Sequence, residues 1–144
     1  MKIHLGTDHA GFLHKEALKA FLLEQGAEVI DHGAETLTPD DDYPDFITPA
    51  AQAVAATPED IGFIFGSSGQ GEAMAANRVP GIRAVVYYGG PNTILTLSRE
   101  HNNANILSVG AHFVSIEDMI NAVTLWLETP FSGEERHVRR LNKF

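Results

Sequence analysis

The chain has 144 residues, of which 44% are hydrophobic, and its formal net charge is −9. This length suits one compact domain, residues 1–144, with a full hydrophobic core. The acidic charge argues against a nucleic-acid-binding surface, and no apolar run approaches the roughly 20 residues of a membrane span. Cysteine is absent, which excludes disulfides and thiolate nucleophiles. Residues 1–6 show no signal peptide, so we expect a cytoplasmic location by default.

Short apolar runs alternate with helical patterns along the chain. Strands are predicted at residues 2–6, 27–31, 61–65, 82–88 and 106–109. Helices are predicted from residue 12 to a stop at Gly26, and at 43–56, 72–76, 92–100, 116–127 and 133–143. Residues 32–42 are interpreted as a solvated acidic turn. This alternation predicts an α/β fold, a five-stranded parallel sheet with helices on both faces.

Three polar segments follow predicted strands. They are Thr7-Asp8-His9, residues 67–72 and Gly110-Ala111-His112. Ligands of open parallel sheets bind beyond the carboxyl ends of the strands. We therefore expect these segments to form one shared rim.

The segment GFIFGSSGQGEAMAAN, residues 62–77, is a buried strand, a glycine-rich turn and the start of a helix. It has no lysine for a phosphate-binding P-loop, and Met74 stands where a dinucleotide fingerprint needs its third glycine. Glu72 would also repel a pyrophosphate. A carboxylate here suits a general base, with Ser68 and backbone N–H groups receiving the charge that develops on oxygen. The loop by itself leaves an alternative open. It is an ordinary tight turn, in which the negative charge of Glu72 stabilises the positive N-terminal end of the helix.

Two further clusters are open to two interpretations. Asp8 and His9 either bind the hydroxyls of a polyol substrate, or Asp8 caps a helix beside an incidental histidine. His101, followed by Asn102-Asn103-Ala104-Asn105, either transfers protons near neutral pH or is stabilised by the helix dipole.

The basic tail also allows two interpretations. Arg136 and Arg140 are four residues apart and share a helix face that suits a phosphate dianion. Otherwise the tail is a solvated helix with Glu135 and Arg139 paired, or it docks on a second subunit through Val138, Leu141 and Phe144. No metal is expected, because the seven histidines form neither HxH nor HExxH.

These segments together resemble a known family. The matching motifs run in order along nearly the whole chain: Gly6-Thr7-Asp8-His9-Ala10-Gly11, Tyr43-Pro44-Asp45, Gly69-Gln70-Gly71-Glu72, residues 75–84, residues 101–105 and Arg136-His137. They resemble the type B ribose-5-phosphate isomerases, a family that also includes galactose-6-phosphate and allose-6-phosphate isomerases.

The resemblance implies a Rossmann-like three-layer α/β/α sandwich and a cofactor-free and metal-free aldose–ketose isomerase. It also implies a homodimer or a dimer of dimers, in which the C-terminal helix of one subunit reaches the neighbour's site. Many members carry a catalytic cysteine at the position of Gly66. This chain resembles the members that use a glutamate at the position of Glu72.

The family's roles carry over residue by residue. Arg136 and Arg140 hold the phosphate with His137 nearby, and His101 and Asp8 assist ring opening. Glu72 moves the proton between C2 and C1 through an enediolate, while Ser68 and the N–H groups of Gly69 and Gly71 stabilise the oxyanion. The other residues that we expect to bind substrate are His9, Tyr43, Ser67, Asn102 and His112.

Three departures bear on the substrate. His112 replaces a usual phosphate-contacting arginine, Ser67 replaces a usual glycine, and Glu134-Glu135 precedes Arg136. We expect isomerisation of ribose 5-phosphate to ribulose 5-phosphate. The alternatives are a six-carbon sugar-phosphate isomerase and a non-catalytic sugar-phosphate-binding homologue.

Overall fold

The computed structural model describes all residues, Met1–Phe144. The strands are β1 (Ile3–Thr7), β2 (Val29–Asp31), β3 (Ile61–Gly66), β4 (Ala84–Tyr87) and β5 (Ile106–Gly110). The helices are α1 (Phe12–Glu24), α2 (Pro44–Ala56), α3 (Gln70–Ala76), α4 (Thr93–Glu100), α5 (Ile116–Glu128) and α6 (Glu135–Leu141), and a short 3-10 turn spans His9–Gly11. None of the helices combines the length and the apolar character that crossing a bilayer requires.

The five strands form one parallel sheet in the order β2-β1-β3-β5-β4. The connection between two parallel strands is almost always right-handed. A helix that carries the chain towards one edge of the sheet therefore packs on one face, and a helix that carries it towards the other edge packs on the opposite face. Accordingly α5 packs beside α1 and α4 on one face, while α2 packs beside α3 on the other. The predicted three-layer α/β/α sandwich is confirmed.

Two apolar cores fill the two sides of the sheet. The larger core lies under α1, α4 and α5 and includes Phe63 and Trp126, whose rings meet edge to face with centroids 5.5 Å apart. The indole N–H of Trp126 donates to Ser98 Oγ at 3.0 Å, so its polar atom is satisfied inside the core. The smaller core joins α2 and α3 to the sheet through Ile64 and Ile106. Successive side chains of a strand point to opposite faces of the sheet, so the central strands contribute side chains to both cores.

The strand β4 begins two residues later than predicted, because the backbone N–H groups of residues 82 and 83 are hydrogen-bonded outside the sheet. The backbone N–H of Ile82 donates to Val79 O in a turn, and that of Arg83 donates to the side-chain oxygen of Asn105 at 2.8 Å. Neither N–H is therefore available to the sheet ladder. Helix α3 begins two residues earlier than predicted, at Gln70.

A chain of polar side chains is buried against β1. His4 Nε2 lies 3.2 Å from Asp60 Oδ2, and His4 Nδ1 lies 2.9 Å from His32 Nε2. Asp60 also accepts a hydrogen bond from the backbone N–H of Lys2 at 2.6 Å. Burial first, and then the neighbouring His4, lowers the pKa of His32. The fold therefore favours the neutral form of His32 more than the unfolded chain does.

Acidification should destabilise the protein through His32. Its folded-state pKa lies below the unfolded value of about 6.5, so the unfolded chain takes up the proton first as the pH falls. The free energy of unfolding should therefore decrease between about pH 7.5 and about pH 5.5, as measured by urea denaturation. His32→Gln removes the titrating group and should flatten this dependence. An equally steep decrease in that variant would contradict the role of His32.

Candidate active site

The carboxyl ends of β1, β3 and β5 lie side by side. Thr7 pairs with Phe65, and Gly66 pairs with Gly110. The hydroxyl of Thr7 donates to Phe65 O at 3.1 Å, which ties the ends of β1 and β3 together. The three polar segments singled out in the sequence therefore leave the sheet along one continuous edge.

Glu72 lies at the centre of this edge, with its carboxyl group buried against Gly66. The residue is only 4% exposed. A Cβ atom built on Gly66 would collide with both carboxyl oxygens of Glu72, so the carboxyl group occupies the space of the missing side chain. Burial, and to a smaller extent the charge of Asp8, raises the pKa of Glu72 above its usual value. This carboxylate is a stronger base than an exposed glutamate.

The turn before Glu72 presents unpaired backbone N–H groups. Gly69 adopts the left-handed conformation, φ 77°, which turns the chain from β3 into α3. Its carbonyl oxygen accepts a hydrogen bond from Ser108 Oγ at 2.7 Å, whereas its N–H has no acceptor within the chain. Gly71 lies in the first turn of α3, where N–H groups lack helical acceptors. The turn can donate hydrogen bonds to an anionic oxygen next to the Glu72 carboxylate.

Two side-chain contacts line this turn. The Tyr43 hydroxyl oxygen would lie 2.8 Å from a Cβ atom built on Gly71, so the phenol rests directly on the turn. Ser67 Oγ and His112 Nδ1 are 2.9 Å apart, and the backbone N–H of His112 donates to Ser67 O at 3.1 Å. Ser67 and His112, both predicted to bind substrate, therefore contact each other.

Asp8, His9 and Asp41 form a cluster beside Glu72. One oxygen of Asp8 makes the predicted cap of the 3-10 turn by accepting from the Ala10 N–H at 2.9 Å, and a cap through one oxygen is compatible with a second role for this side chain. Asp41 Oδ1 lies 2.6 Å from His9 Nδ1. The prediction that residues 32–42 are simply a solvated acidic turn is wrong for Asp41, whose side chain is 12% exposed. This contact joins residues that are 32 positions apart, and no local sequence pattern predicts it.

The same cluster offers three potential metal ligands, whose donor atoms lie within 4.8 Å of one another. However, the Nδ1 atom of His9 already hydrogen-bonds Asp41. This nitrogen therefore carries the bonding proton and lacks the free lone pair that a metal needs. The cluster fits a hydrogen-bonded pair beside Asp8 better than a metal site.

A second group of predicted residues surrounds His101, which caps the C-terminus of α4. The rings of His101 and His137 contact each other with centroids 4.1 Å apart and planes tilted by 37°, and His137 Nδ1 lies 2.9 Å from Ser132 Oγ. Burial, together with the nearby His101 and Arg136, lowers the pKa of His137. Near the pair, Asn102, Arg136 and Arg140 are exposed.

The two groups lie at opposite edges of the sheet. Glu72 follows the carboxyl end of β3, whereas His101 follows α4, which returns the chain to the amino end of β5. The tail stays at this amino edge, since the Ser132 N–H donates to Glu100 O at 3.1 Å. The five residues of β5 separate the edges by about 13 Å or more. One copy of the chain therefore does not bring His101 and Glu72 together.

Gly66→Ala should expel the Glu72 carboxyl group from its buried position. The added methyl group takes the space that the carboxyl group now fills. With burial relieved, the pKa of Glu72 should fall towards the value of an exposed glutamate. Carbon-detected NMR of labelled glutamate carboxyl groups measures this change, and exposed Glu117 provides a reference signal that should be the same in both proteins. An unchanged titration of Glu72 would contradict the packing described here.

Comparison with known proteins agrees with this architecture. A family model described as Ribose/Galactose Isomerase matches residues 3–144. The chain is 39% identical over 142 residues to ribose-5-phosphate isomerase B of Mycolicibacterium paratuberculosis, covering 99% of this chain and 88% of that protein. It is 39% identical over 140 residues to the Escherichia coli protein of the same name, covering 97% and 91%.

Solved structures show the same fold. Ribose-5-phosphate isomerase B of Clostridium thermocellum superposes with a TM-score of 0.93 at 40% identity, covering 99% of this chain and 94% of that one. The Mycoplasma genitalium protein, solved with bound ribulose-5-phosphate, gives a TM-score of 0.93 at 33% identity, covering 99% and 92%. With a family match along almost its whole length and relatives well above 30% identity, this chain belongs to the Ribose/Galactose Isomerase family.

Proposed function

We propose that this protein is an aldose–ketose isomerase that interconverts ribose 5-phosphate and ribulose 5-phosphate without a cofactor. The observation that carries the proposal is the buried carboxylate of Glu72 beside unpaired N–H groups of the Gly69 turn. The names of the curated relatives and the ribulose-5-phosphate bound in the Mycoplasma genitalium structure support the choice of substrate. A role in the pentose phosphate pathway depends on this substrate and belongs to the same proposal, as does a cytoplasmic location.

The proposed chemistry is a proton transfer between neighbouring carbons. Glu72 removes the proton from C2 of the open-chain aldose and returns it to C1 by way of an enediolate, within which the O2 hydroxyl proton passes to O1. Ser68 and the N–H groups of Gly69 and Gly71 donate hydrogen bonds to the oxygen on which charge develops. Removing one donor of this kind typically costs about 2.7–4 kcal/mol of barrier. The raised pKa of Glu72 makes it a better base for this weakly acidic C–H group.

The remaining residues open the sugar ring and hold the substrate. Asp8 and His101 move a proton between the ring oxygen and the anomeric hydroxyl, and Arg136 and Arg140 bind the phosphate. His9, Tyr43, Ser67, Asn102 and His112 contact the sugar or its phosphate. His137 is 2% exposed and bonded to Ser132, which favours support of the His101 ring over direct contact with the phosphate.

A homodimer, or a dimer of such dimers, completes the proposed site. The edge that carries Glu72 has no arginine among its predicted substrate-binding residues, and the edge that carries Arg136 lacks Glu72, the proposed base for the C2 proton. A groove of about 870 Å³ with mixed polar and apolar walls lies beside α6 and is lined in part by Val138, Leu141 and Phe144. Phe144 is 85% exposed, as expected of a side chain that a second copy covers. The C-terminal helix of one subunit thus reaches the site of its partner.

A six-carbon sugar phosphate is the second candidate substrate. The contact between Ser67 and His112 favours this alternative, because it reshapes the position where the family usually has a phosphate-contacting arginine. Comparing kcat/KM for ribose 5-phosphate, allose 6-phosphate and galactose 6-phosphate distinguishes the two candidates. A non-catalytic binding protein would instead bind the ligand without exchanging its C2 proton with solvent.

Glu72→Gln should lower kcat by roughly 10²–10⁴-fold, because the amide keeps the size of the side chain but removes the base. Exchange of the substrate's C2 proton in heavy water, followed by NMR, measures the loss. Glu117→Gln is the matched control, since Glu117 is also an acidic residue in the first turn of a helix but is exposed on α5. Wild-type exchange in Glu72→Gln would show that another group is the base.

Mixing two inactive variants should restore activity if the site is shared between subunits. Glu72→Gln and Arg136→Ala inactivate opposite edges, so a mixed dimer contains one site with both native residues. Co-refolding equal amounts should recover about one quarter of the wild-type activity, since half of the dimers are mixed and each has one intact site. No recovery, despite mixed dimers verified by mass spectrometry, would contradict a shared site.

A further inference from the structure

The carboxylate of Asp41 makes two hydrogen bonds to one residue, His9. Oδ1 of Asp41 accepts from the His9 backbone N–H at 2.9 Å and from its ring Nδ1 at 2.6 Å. The loop reaches this position through Asp40, which adopts the left-handed conformation with φ 68°, a conformation that aspartate tolerates. Two bonds from one carboxylate fix both the backbone and the ring of His9.

No lysine or arginine pairs with Asp41, and its only salt-bridge partner is His9. Oδ2 of Asp41 is buried and has no hydrogen-bond partner. An ionised carboxylate in such a position requires compensation, because burial removes the stabilisation that water provides. The imidazole ring is the one group placed to supply positive charge.

The pairing determines which nitrogen of His9 faces outward. With Nδ1 donating to Asp41, Nε2 is the remaining nitrogen, and it makes no hydrogen bond within the chain. The His9 side chain is 42% exposed, so a ligand can reach it. The charged groups around the ring are Asp41, Asp8 and Asp40; together they raise the pKa of His9 against the opposing effect of burial, with the Asp41 hydrogen bond first.

We infer that Asp41 is a positioning residue that holds His9 as a charged donor, whose Nε2–H hydrogen-bonds an oxygen of the sugar phosphate. The inference rests on the proposed function for the identity of the ligand. A protonated imidazole donates from both ring nitrogens, so one proton stays with Asp41 while the other is directed at the substrate. His9 therefore contacts the sugar, and Asp41 acts through His9.

Asp41→Asn tests the charge while keeping an acceptor oxygen at the same position. An NMR titration of the His9 ring should show a lower pKa in this variant than in the wild type. Because deprotonation of His9 removes the Nε2 donor, the alkaline limb of kcat/KM should move to lower pH. Near neutral pH, KM should rise roughly tenfold with kcat little changed, as expected for the loss of one charge-assisted hydrogen bond.

Asp40→Asn is the matched control, since Asp40 is exposed on the same loop and does not hydrogen-bond His9. It should lower the pKa of His9 less than Asp41→Asn does, because Asp40 acts on the ring through its charge alone, and it should leave KM nearly unchanged. In a His9→Gln background, Asp41→Asn should add little to KM, because the proposed route through His9 is already lost. Full additivity in this double-mutant cycle would indicate a general structural role and overturn the inference.

The titration separates this inference from the proposed function. An unchanged pKa of His9 in Asp41→Asn would overturn the inference even if the wild type isomerises ribose 5-phosphate. A wild type that isomerises no sugar phosphate would refute the proposed function, and with it the assigned ligand of His9. The titration would then still report whether Asp41 charges the ring.

Discussion

The Glu72 carboxyl group packs against the bare Cα atom of Gly66, and the rest of the candidate site depends on this contact. A side chain at position 66 would expel the carboxyl group. Because Gly66 ends β3 and Glu72 lies in the first turn of α3, the turn between them must be tight. The left-handed Gly69 provides that turn and leaves its N–H unpaired. Burial of a base and exposure of hydrogen-bond donors therefore arise from one backbone conformation.

The parallel sheet imposes a second constraint, since it separates residues that the proposed mechanism needs in one site. Strand ends place Asp8 and Glu72 at the carboxyl edge, while the return through α4 places His101 at the amino edge. The His101 ring lies against His137, whose own Nδ1 is hydrogen-bonded to Ser132, and this contact holds His101 against the tail. The proposed assembly resolves the separation, because the carboxyl edge of one subunit meets the amino edge of its partner. On this account activity depends on association as directly as on folding.

The sequence predicted the fold well because the fold is encoded in local patterns. Apolar runs alternating with amphipathic segments specify a parallel sheet, and a parallel sheet gathers its strand ends at one edge. Contacts between distant loops have no such pattern. The pairing of Asp41 with His9 spans 32 positions, and the late start of β4 depends on the side chain of Asn105. The separation of Glu72 and His101 likewise appears only once helix and strand directions are known.

A crystal structure of the assembled protein with ribulose 5-phosphate bound would test the central claim most directly. The account predicts that C1 and C2 of the sugar lie within about 3.5 Å of the Glu72 carboxylate, the reach of a proton transfer. It also predicts that the phosphate contacts Arg136 of the partner subunit. The account would be contradicted by a sugar whose C1 and C2 lie away from Glu72. It would also be contradicted by a phosphate bound only by residues of the subunit that supplies Glu72.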